Sequence, residues 1–167
     1  MDSVPFEVQY ELVKTLKESE LPANPITAEC FQRVSRDHNI PEFVLKSILD
    51  IENGRPGQKV PNKNKSGEVV SWDVGPAQIN TINLKHLYQK YNLSPIHIRF
   101  DGCTNIEAAA VHLRERIDRS AEIKNWQDMI QLIASYHSYT EEHNLRYANK
   151  LAKIMRGYMA KGKENGQ

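Results

Sequence analysis

Residues 41–54 read PEFVLKSILDIENG, and this stretch predicts the helix around which the rest of the fold is arranged. Pro41 suits the first turn of a helix, where its missing N–H is not needed. The apolar residues that follow recur at helical spacing, which places Ile48 on the same face as Glu52. Gly54 ends the pattern directly afterwards. The sequence therefore predicts a carboxyl group on the apolar face of a helix, in its last turn and opening onto a cleft.

A carboxyl group in that position has a specific chemical use. Burial disfavours the charged form, so the pKa of Glu52 is expected to rise. A carboxylic acid that is still protonated near neutral pH can serve as a general acid. The alternative is a structural Glu52 paired with an arginine or a lysine, because ion pairs also perturb carboxylates.

Composition excludes several classes of protein. The chain has 167 residues, of which 40% are apolar and 26% charged, and its formal net charge is +1. These values are typical of a globular protein of one domain, and the default expectation is a monomer. The sequence has no basic block and no apolar run of about 20 residues, so neither nucleic acid nor a membrane span is expected. Its six histidines lack metal-binding spacing, and it has no Gly-rich phosphate loop, so no metal or other cofactor is expected.

Patterns along the chain predict a mainly α fold, a single compact helical domain with at most a minor β element. Residues 1–25 are expected to form an N-terminal extension with a short helix and a linker, and residues 26–160 the domain itself. Residues 161–167 are a polar tail that is expected to fray. Residues 54–71 are rich in Gly, Pro, Asn and Lys, which predicts a long polar loop with a brief strand near Val69.

A second informative stretch, DVGPAQIN, occupies residues 73–80. Gly75 permits a close backbone approach or an unusual φ. Gln78 and Asn80 alternate with apolar residues, so both amides are predicted on one side of an extended segment. Amides both donate and accept hydrogen bonds, which suits sugar hydroxyl and acetamido groups. The alternative is an ordinary polar turn.

Two further features leave alternatives open. Tyr136 is predicted on the inner face of a helix that begins near Trp126, where its hydroxyl either bonds Glu52 or is satisfied within the core. Cys30 and Cys103 are either two unrelated buried thiols or one disulfide that closes a loop of about 70 residues. A disulfide would imply an oxidising compartment.

Four blocks in this order carry a family resemblance: IENG at 51–54, DVGPAQIN at 73–80, CTNIEAAA at 103–110 and SYHS at 135–138. Together they resemble the soluble lytic transglycosylase family, over roughly residues 28–158. The closest similarity is to the group associated with type IV secretion, conjugation and pilus machines.

The resemblance implies a lysozyme-like α+β fold with a glycan groove, and an activity. Members cleave the β-1,4 bond between N-acetylmuramic acid and N-acetylglucosamine in peptidoglycan. One Glu protonates the glycosidic oxygen and then deprotonates the muramic C6 hydroxyl, so that a 1,6-anhydro sugar forms without water. The resemblance also implies a periplasmic or wall-exported protein, whose signal peptide has been removed. Its partners would be glycan strands and, through the specialised group, proteins of a secretion or conjugation machine.

Residue by residue, Glu52 matches the catalytic Glu of the family. Gln78 and Asn80 match residues that line the glycan groove, and Tyr136 matches a tyrosine that touches the catalytic carboxylate. The same comparison implies that Cys30 and Cys103 are paired.

The departures of the chain from the family pattern include two supporting positions. Asn53 follows the catalytic Glu where many members have Ser, although its amide can still form hydrogen bonds. His137 begins a segment that replaces the typical Asn-Ala-Gly after the tyrosine.

Asp73 leaves the mechanism open. It either binds groups in its own turn, which is the favoured interpretation, or acts as a second carboxylate. In the second case the protein would be a hydrolytic muramidase that uses Glu52 and Asp73. A non-catalytic peptidoglycan-binding scaffold is a third hypothesis.

Overall fold

The computed structural model describes residues 4–120, 122–137 and 141–164, and for residues 136–137, 141–144 and 163–164 it describes the backbone only. The predicted fold class is confirmed, since the described chain is mainly helical with one small sheet. The chain divides into two compact units. The first unit comprises Met1–Val34 and Glu52–Ala109, and the second comprises Ser35–Ile51 and Ala110–Gln167.

The described residues form eight α-helices, with the sheet between the third and the fourth. In chain order they are α1 (Phe6–Thr15), α2 (Ala28–Asp37), α3 (Glu42–Glu52), α4 (Leu84–Tyr91), α5 (Pro95–Phe100), α6 (Gly102–Arg119), α7 (Trp126–His137) and α8 (Glu141–Glu164). Among the described residues, no helix combines the length and the apolar character that a membrane crossing requires.

Helix α3 forms as its sequence predicts. The carbonyl oxygen of Pro41 accepts hydrogen bonds from the N–H groups of Val44 and Leu45, which begins the helix. Val44 and Leu45 are buried, and Ile48 is also buried one turn later. The helix ends at Glu52 because the next residue, Asn53, adopts a left-handed conformation with φ 51°. Asparagine tolerates this conformation better than most residues, so it ends the helix one residue before Gly54.

The prediction of a long loop at residues 54–71 is wrong, but the brief strand predicted near Val69 is confirmed. The chain there forms strand β1 (Lys59–Lys63) and enters strand β2 (Val69–Val74), which pair antiparallel. A third strand, β3 (Ile79–Asn80), pairs with the other edge of β2. Strand β1 could not be recognised in the sequence because it is a polar edge strand. Pro61 is tolerated in it because an edge strand need not donate every N–H.

The side chain of Asn64 holds the turn between β1 and β2. Its Oδ1 accepts hydrogen bonds from the N–H groups of Ser66 and Glu68, at 2.9 and 3.0 Å. The same asparagine accepts a backbone bond from Gly67, whose φ of 82° closes the turn. The Asn, Ser and Gly residues that predicted a loop thus form only the tip of a hairpin.

In the first unit, α1 is tied to the sheet through a buried arginine. Arg99, which is 1% exposed, donates to the carbonyl oxygens of Val13 and Leu16 at 2.7 Å each. Its Nε donates to the carbonyl of Gly57, just before β1, at 2.8 Å. Val13 is itself fully buried. The segment predicted as an N-terminal extension therefore contributes a helix whose last carbonyls are satisfied by the guanidinium of Arg99.

A disulfide joins α2 to α6 within the first unit, which confirms the pairing of Cys30 and Cys103. The N–H of Cys30 donates to the hydroxyl oxygen of Thr27, which caps the N-terminus of α2. Because the cysteines are 73 residues apart, the cross-link stabilises the fold by about 4 kcal/mol in the chain-entropy model.

The second unit is built from apolar helical stripes that the sequence shows plainly. Buried residues recur at helical spacing on α7 and α8; they are Ile130, Ile133, Ala134, Tyr147, Ala148, Leu151 and Met155. Phe43 meets Trp126 edge to face, with ring centroids 5.0 Å apart. Helix α8 continues through Glu164, so it includes the start of the predicted polar tail.

Candidate active site

Glu52 is the last residue of α3 and the first residue of the second segment of the first unit. Its side chain is half-buried, in agreement with a helix face that is apolar one and two turns earlier. After Asn53 turns the chain, the N–H of Gly54 donates to the carbonyl of Pro76 at 3.2 Å. The end of the helix that carries Glu52 is therefore fixed directly to the segment between β2 and β3.

Residues 75–78 form a tight turn, and the predicted extended conformation is wrong. Gly75 and Gln78 both have positive φ, 74° and 53°. The backbone N–H and the side-chain Nε2 of Gln78 both donate to the carbonyl of Gly75, at 3.1 and 2.9 Å. Because Gln78 is not extended, the alternation that would place its amide beside that of Asn80 does not hold. The NH₂ group of Gln78 instead closes its own turn.

Two glycines allow this turn to pack closely. A Cβ on Gly54 would lie 2.1 Å from the carbonyl oxygen of Gly75 and 2.8 Å from Nε2 of Gln78. A Cβ on Gly75 would lie 2.1 Å from Nδ2 of Asn105, and its positive φ would be strained for any other residue. Side chains at these positions would therefore force the end of α3, the turn and α6 apart.

Asn105 is a site residue that the sequence reasoning missed. It lies in the first turn of α6 and is fully buried. Its Oδ1 accepts from the N–H of Ala77 at 2.7 Å, and its Nδ2 donates to the carbonyls of Val74 and Ile98, at 2.9 and 2.7 Å. One side chain thus holds both ends of the turn. The available signal was an amide on an otherwise apolar helical stripe, next to Ile106.

The two polar residues of the strand pair contact each other. Asp73 and Asn80 are directly opposite in the β2–β3 register. Nδ2 of Asn80 donates to Oδ1 of Asp73 at 3.0 Å and to Oγ of Ser71 at 3.1 Å. Oδ1 of Asn80 accepts from the N–H of Ile82 at 2.9 Å. The Asp73 carboxylate is therefore bound to a neighbouring side chain across the strand pair.

The structure brings most of the predicted site residues into one unit. Asn53 follows Glu52 directly in the chain. The turn that contains Gly75 and Gln78 contacts Gly54, the residue after Asn53. The side chains of Tyr136 and His137 lie outside the described part of the structure, so the predicted contact between Tyr136 and Glu52 stays a prediction. Among the described residues, no group of His, Cys, Asp and Glu side chains is arranged to hold a metal ion.

Cationic side chains lie at the base of the hairpin. Nζ of Lys59 is 4.3 Å from the ring centroid of Trp72 and donates to the carbonyl of Lys14. Burial, and secondarily the charge of Arg99, lower the pKa of Lys59. Arg55 forms a bidentate ion pair with Glu18, in which its Nε and Nη2 donate to the two carboxylate oxygens at 2.6 and 3.0 Å. These contacts hold the start of β1 against the N-terminal segment.

The family model of the transglycosylase SLT domain matches residues 29–155. The match covers most of the chain, and the protein belongs to this family. Comparison with curated proteins returns no match. Membership supports lytic transglycosylase activity on peptidoglycan. Together with the disulfide it supports a location outside the cytoplasm, since disulfides persist in oxidising compartments.

Proposed function

We propose that the protein is a peptidoglycan lytic transglycosylase in which Glu52 is first the general acid and then the general base. The observation that carries this proposal is the bond from the N–H of Gly54 to the carbonyl of Pro76. It fixes the end of α3, and with it a half-buried carboxyl group, beside the turn that the sequence resemblance assigns to the glycan groove. A general acid must be held in a defined position relative to the bond that it protonates.

The proposed reaction needs no second catalytic carboxylate. Glu52 protonates the glycosidic oxygen between N-acetylmuramic acid and N-acetylglucosamine, and the C1–O bond breaks. The resulting Glu52 carboxylate then removes the proton of the muramic C6 hydroxyl, whose oxygen forms a bond to C1. The products are a 1,6-anhydromuramic end and a free hydroxyl on the leaving sugar, and Glu52 is again protonated.

We assign supporting roles to the other residues on the basis of their contacts. Gln78 closes the turn with its NH₂ group, which leaves its Oε1 as the atom to accept from a sugar hydroxyl. Asp73 is proposed to be structural, because its Oδ1 accepts from the amide of Asn80. Tyr136 is proposed to orient the Glu52 carboxyl group, as the family resemblance implies.

The cellular role that we propose is local opening of the wall for a secretion or conjugation machine, in the periplasm. This rests on the resemblance of the sequence blocks to the specialised group. A test is whether loss of the protein blocks assembly of such a machine in its host while leaving bulk wall turnover unchanged.

The chemistry is tested by mass spectrometry of fragments released from purified sacculi. Wild type is expected to release fragments one water lighter than hydrolytic muropeptides. Glu52→Gln should reduce this release by about 10² to 10⁴-fold, the usual contribution of a general acid–base residue. Glu42→Gln is a matched control on the same helix, where the carboxylate is exposed and paired with Lys46, and it should retain activity.

Other outcomes favour the other hypotheses. Reducing-end fragments that also require Asp73, as tested with Asp73→Asn, would identify a hydrolytic muramidase. Release of no fragments by folded wild type, together with retained binding to sacculi, would favour a scaffold.

A further inference from the structure

Helix α8 has one apolar side and one basic side. The apolar side is buried, and the helix packs against α7 within the second unit. The charged residues between positions 145 and 162 are all basic and all exposed, and they are Arg146, Lys150, Lys153, Arg156 and Lys161. The acidic residues of the helix, Glu141, Glu142 and Glu164, are confined to its two ends. We call these five cations the basic face of α8.

The spacing of the five cations places them in one sector of the helix. With about 100° of rotation per residue, they fall within roughly 140° of its circumference. The buried residues Leu151 and Met155 lie on the opposite side. At about 1.5 Å per residue, the row from Arg146 to Lys161 is about 22 Å long. A straight row of that length presents its charges to an extended surface rather than to a single small anion.

The basic face concentrates positive charge in one part of the chain. Residues 145–162 hold five of the 22 basic residues and none of the 21 acidic residues. The formal net charge of +1 is therefore +5 in this segment and −4 in the rest of the chain. Within the described part of the structure, Lys150, Lys153 and Arg156 form no ion pair. Uncompensated charge of one sign attracts a partner of the opposite sign, here an anionic one.

Two exposed apolar side chains border the basic face along one edge, next to Arg156. Leu145 is 59% exposed and Met159 is 36% exposed. A hydrophilic polyanion offers nothing to these side chains. A lipid surface accepts them at the boundary between headgroups and acyl chains, while the cations beside them meet headgroup phosphates. The combination of a cationic row with apolar neighbours therefore favours a membrane surface as the partner.

We propose that the basic face of α8 docks the protein on the surface of a membrane that contains anionic phospholipid. Lys150, Lys153 and Arg156 bind headgroup phosphates, and Leu145 and Met159 enter the interface beside them. The docking is reversible and sensitive to salt, because it depends mainly on charge. The inference goes beyond the proposed function, since none of these residues takes part in the proposed reaction.

The test is co-sedimentation of the full chain with vesicles. One set contains phosphatidylglycerol and phosphatidylcholine in a one-to-two ratio, and the other contains phosphatidylcholine alone. Wild type is expected to sediment with the anionic vesicles and to remain in solution with the neutral ones. Raising the salt from about 0.1 M to about 1 M should release it, because the Debye length falls from about 10 Å to about 3 Å.

The triple variant Lys150→Gln/Lys153→Gln/Arg156→Gln should bind the anionic vesicles about 100-fold more weakly, since each cation near such a surface contributes roughly fivefold. The matched control is Lys63→Gln/Lys65→Gln/Lys85→Gln, which removes the same charge from exposed positions outside α8. It should change binding less than about threefold. Equal losses in the two variants would overturn the inference, because net charge and not the basic face would then govern binding.

Leu145→Ser/Met159→Ser tests the choice of a membrane as the partner. It should weaken binding to anionic vesicles about fivefold and leave binding to purified sacculi unchanged. If wild type ignores anionic vesicles, or if the triple variant loses binding to sacculi instead, the inference is overturned, and the second result would identify an anionic wall polymer as the partner.

Fragment release separates this inference from the proposed function. Purified sacculi contain no membrane, so the triple variant should release fragments from them at the rate of wild type. Loss of release in this variant, with its circular dichroism spectrum unchanged, would place the basic face on the wall substrate and overturn membrane docking. Absence of release by wild type would count against the proposed function alone.

Discussion

Replacing Asn105 with alanine removes the side chain that holds the turn at residues 75–78. The N–H of Ala77 loses its acceptor, and the carbonyls of Val74 and Ile98 each lose a donor. The site is fully buried, so water cannot replace these bonds without a cavity. The variant therefore tests whether the turn depends on α6.

The expected cost follows from those three groups. Leaving a buried polar group unsatisfied costs about 1 to 3 kcal/mol. The N–H falls in the upper part of this range because it has only one hydrogen to give, while a carbonyl has a second lone pair. We therefore expect Asn105→Ala to lower the free energy of unfolding by about 4 kcal/mol, a large share of the roughly 5 to 15 kcal/mol of a typical domain.

Urea unfolding followed by circular dichroism measures this cost. Asn149→Ala is the matched control, because Asn149 is exposed on α8 and should change stability by less than about 0.5 kcal/mol. Asn105→Asp keeps the acceptor for Ala77 but places an oxygen against two carbonyls, so it should destabilise at least as much as alanine. A loss below about 1 kcal/mol for both variants would refute the reasoning that Asn105 holds the turn.

Four further outcomes are expected. Gly54→Ala should cost about 2 to 3 kcal/mol and abolish fragment release, since its Cβ would lie 2.1 Å from a backbone oxygen of the turn. The control is Gly157→Ala in the interior of α8, where a Cβ meets open space; it should raise the melting temperature slightly, because alanine is favoured over glycine in a helix by about 1 kcal/mol. Arg99→Met should cost about 3 kcal/mol in urea unfolding, because three buried carbonyls lose their donor; a melting temperature equal to that of wild type would contradict this. Reduction of the disulfide should lower the unfolding free energy by about 4 kcal/mol, and an unchanged denaturation midpoint in dithiothreitol would argue against it. The hydrogen bond from Tyr158 to the carboxylate of Asp50 raises the pKa of the Tyr158 hydroxyl to about 12, so the stabilisation is complete below pH 10 and is lost as pH rises towards 12. Tyr158→Phe should remove this alkaline dependence at a cost below about 1 kcal/mol, since the pair is exposed. Identical alkaline unfolding curves for the two proteins would count against the bond.

The helices of this fold could be predicted because their signal is local. Apolar residues at helical spacing identify α3, α6, α7 and α8 without any knowledge of what they contact. The positions of Glu52 at a helix end and of Thr27 as a cap follow from the same short-range rules. The disulfide followed from the family resemblance, since spacing alone left it open.

The parts that could not be predicted depend on partners far away in the sequence. Strand β1 contains Lys, Asn and Pro and is stabilised by pairing with β2, so it carries no periodic apolar signal. The left-handed conformation of Gln78 follows from the close approach of Gly54 and Gly75. The hydrogen bonds of Arg99 and Asn105 join elements that are separated along the chain, and composition cannot show which carbonyls such side chains reach.

Because Arg99 binds carbonyls 83 and 86 residues earlier in the chain, the first unit cannot be assembled progressively from its beginning. Contacts of such high sequence separation require closure of a long loop before they contribute any free energy, which slows folding. During synthesis, the last carbonyls of α1 lack their hydrogen-bond donor until α5 has been made. A nascent chain arrested before residue 99 should therefore leave α1 sensitive to protease.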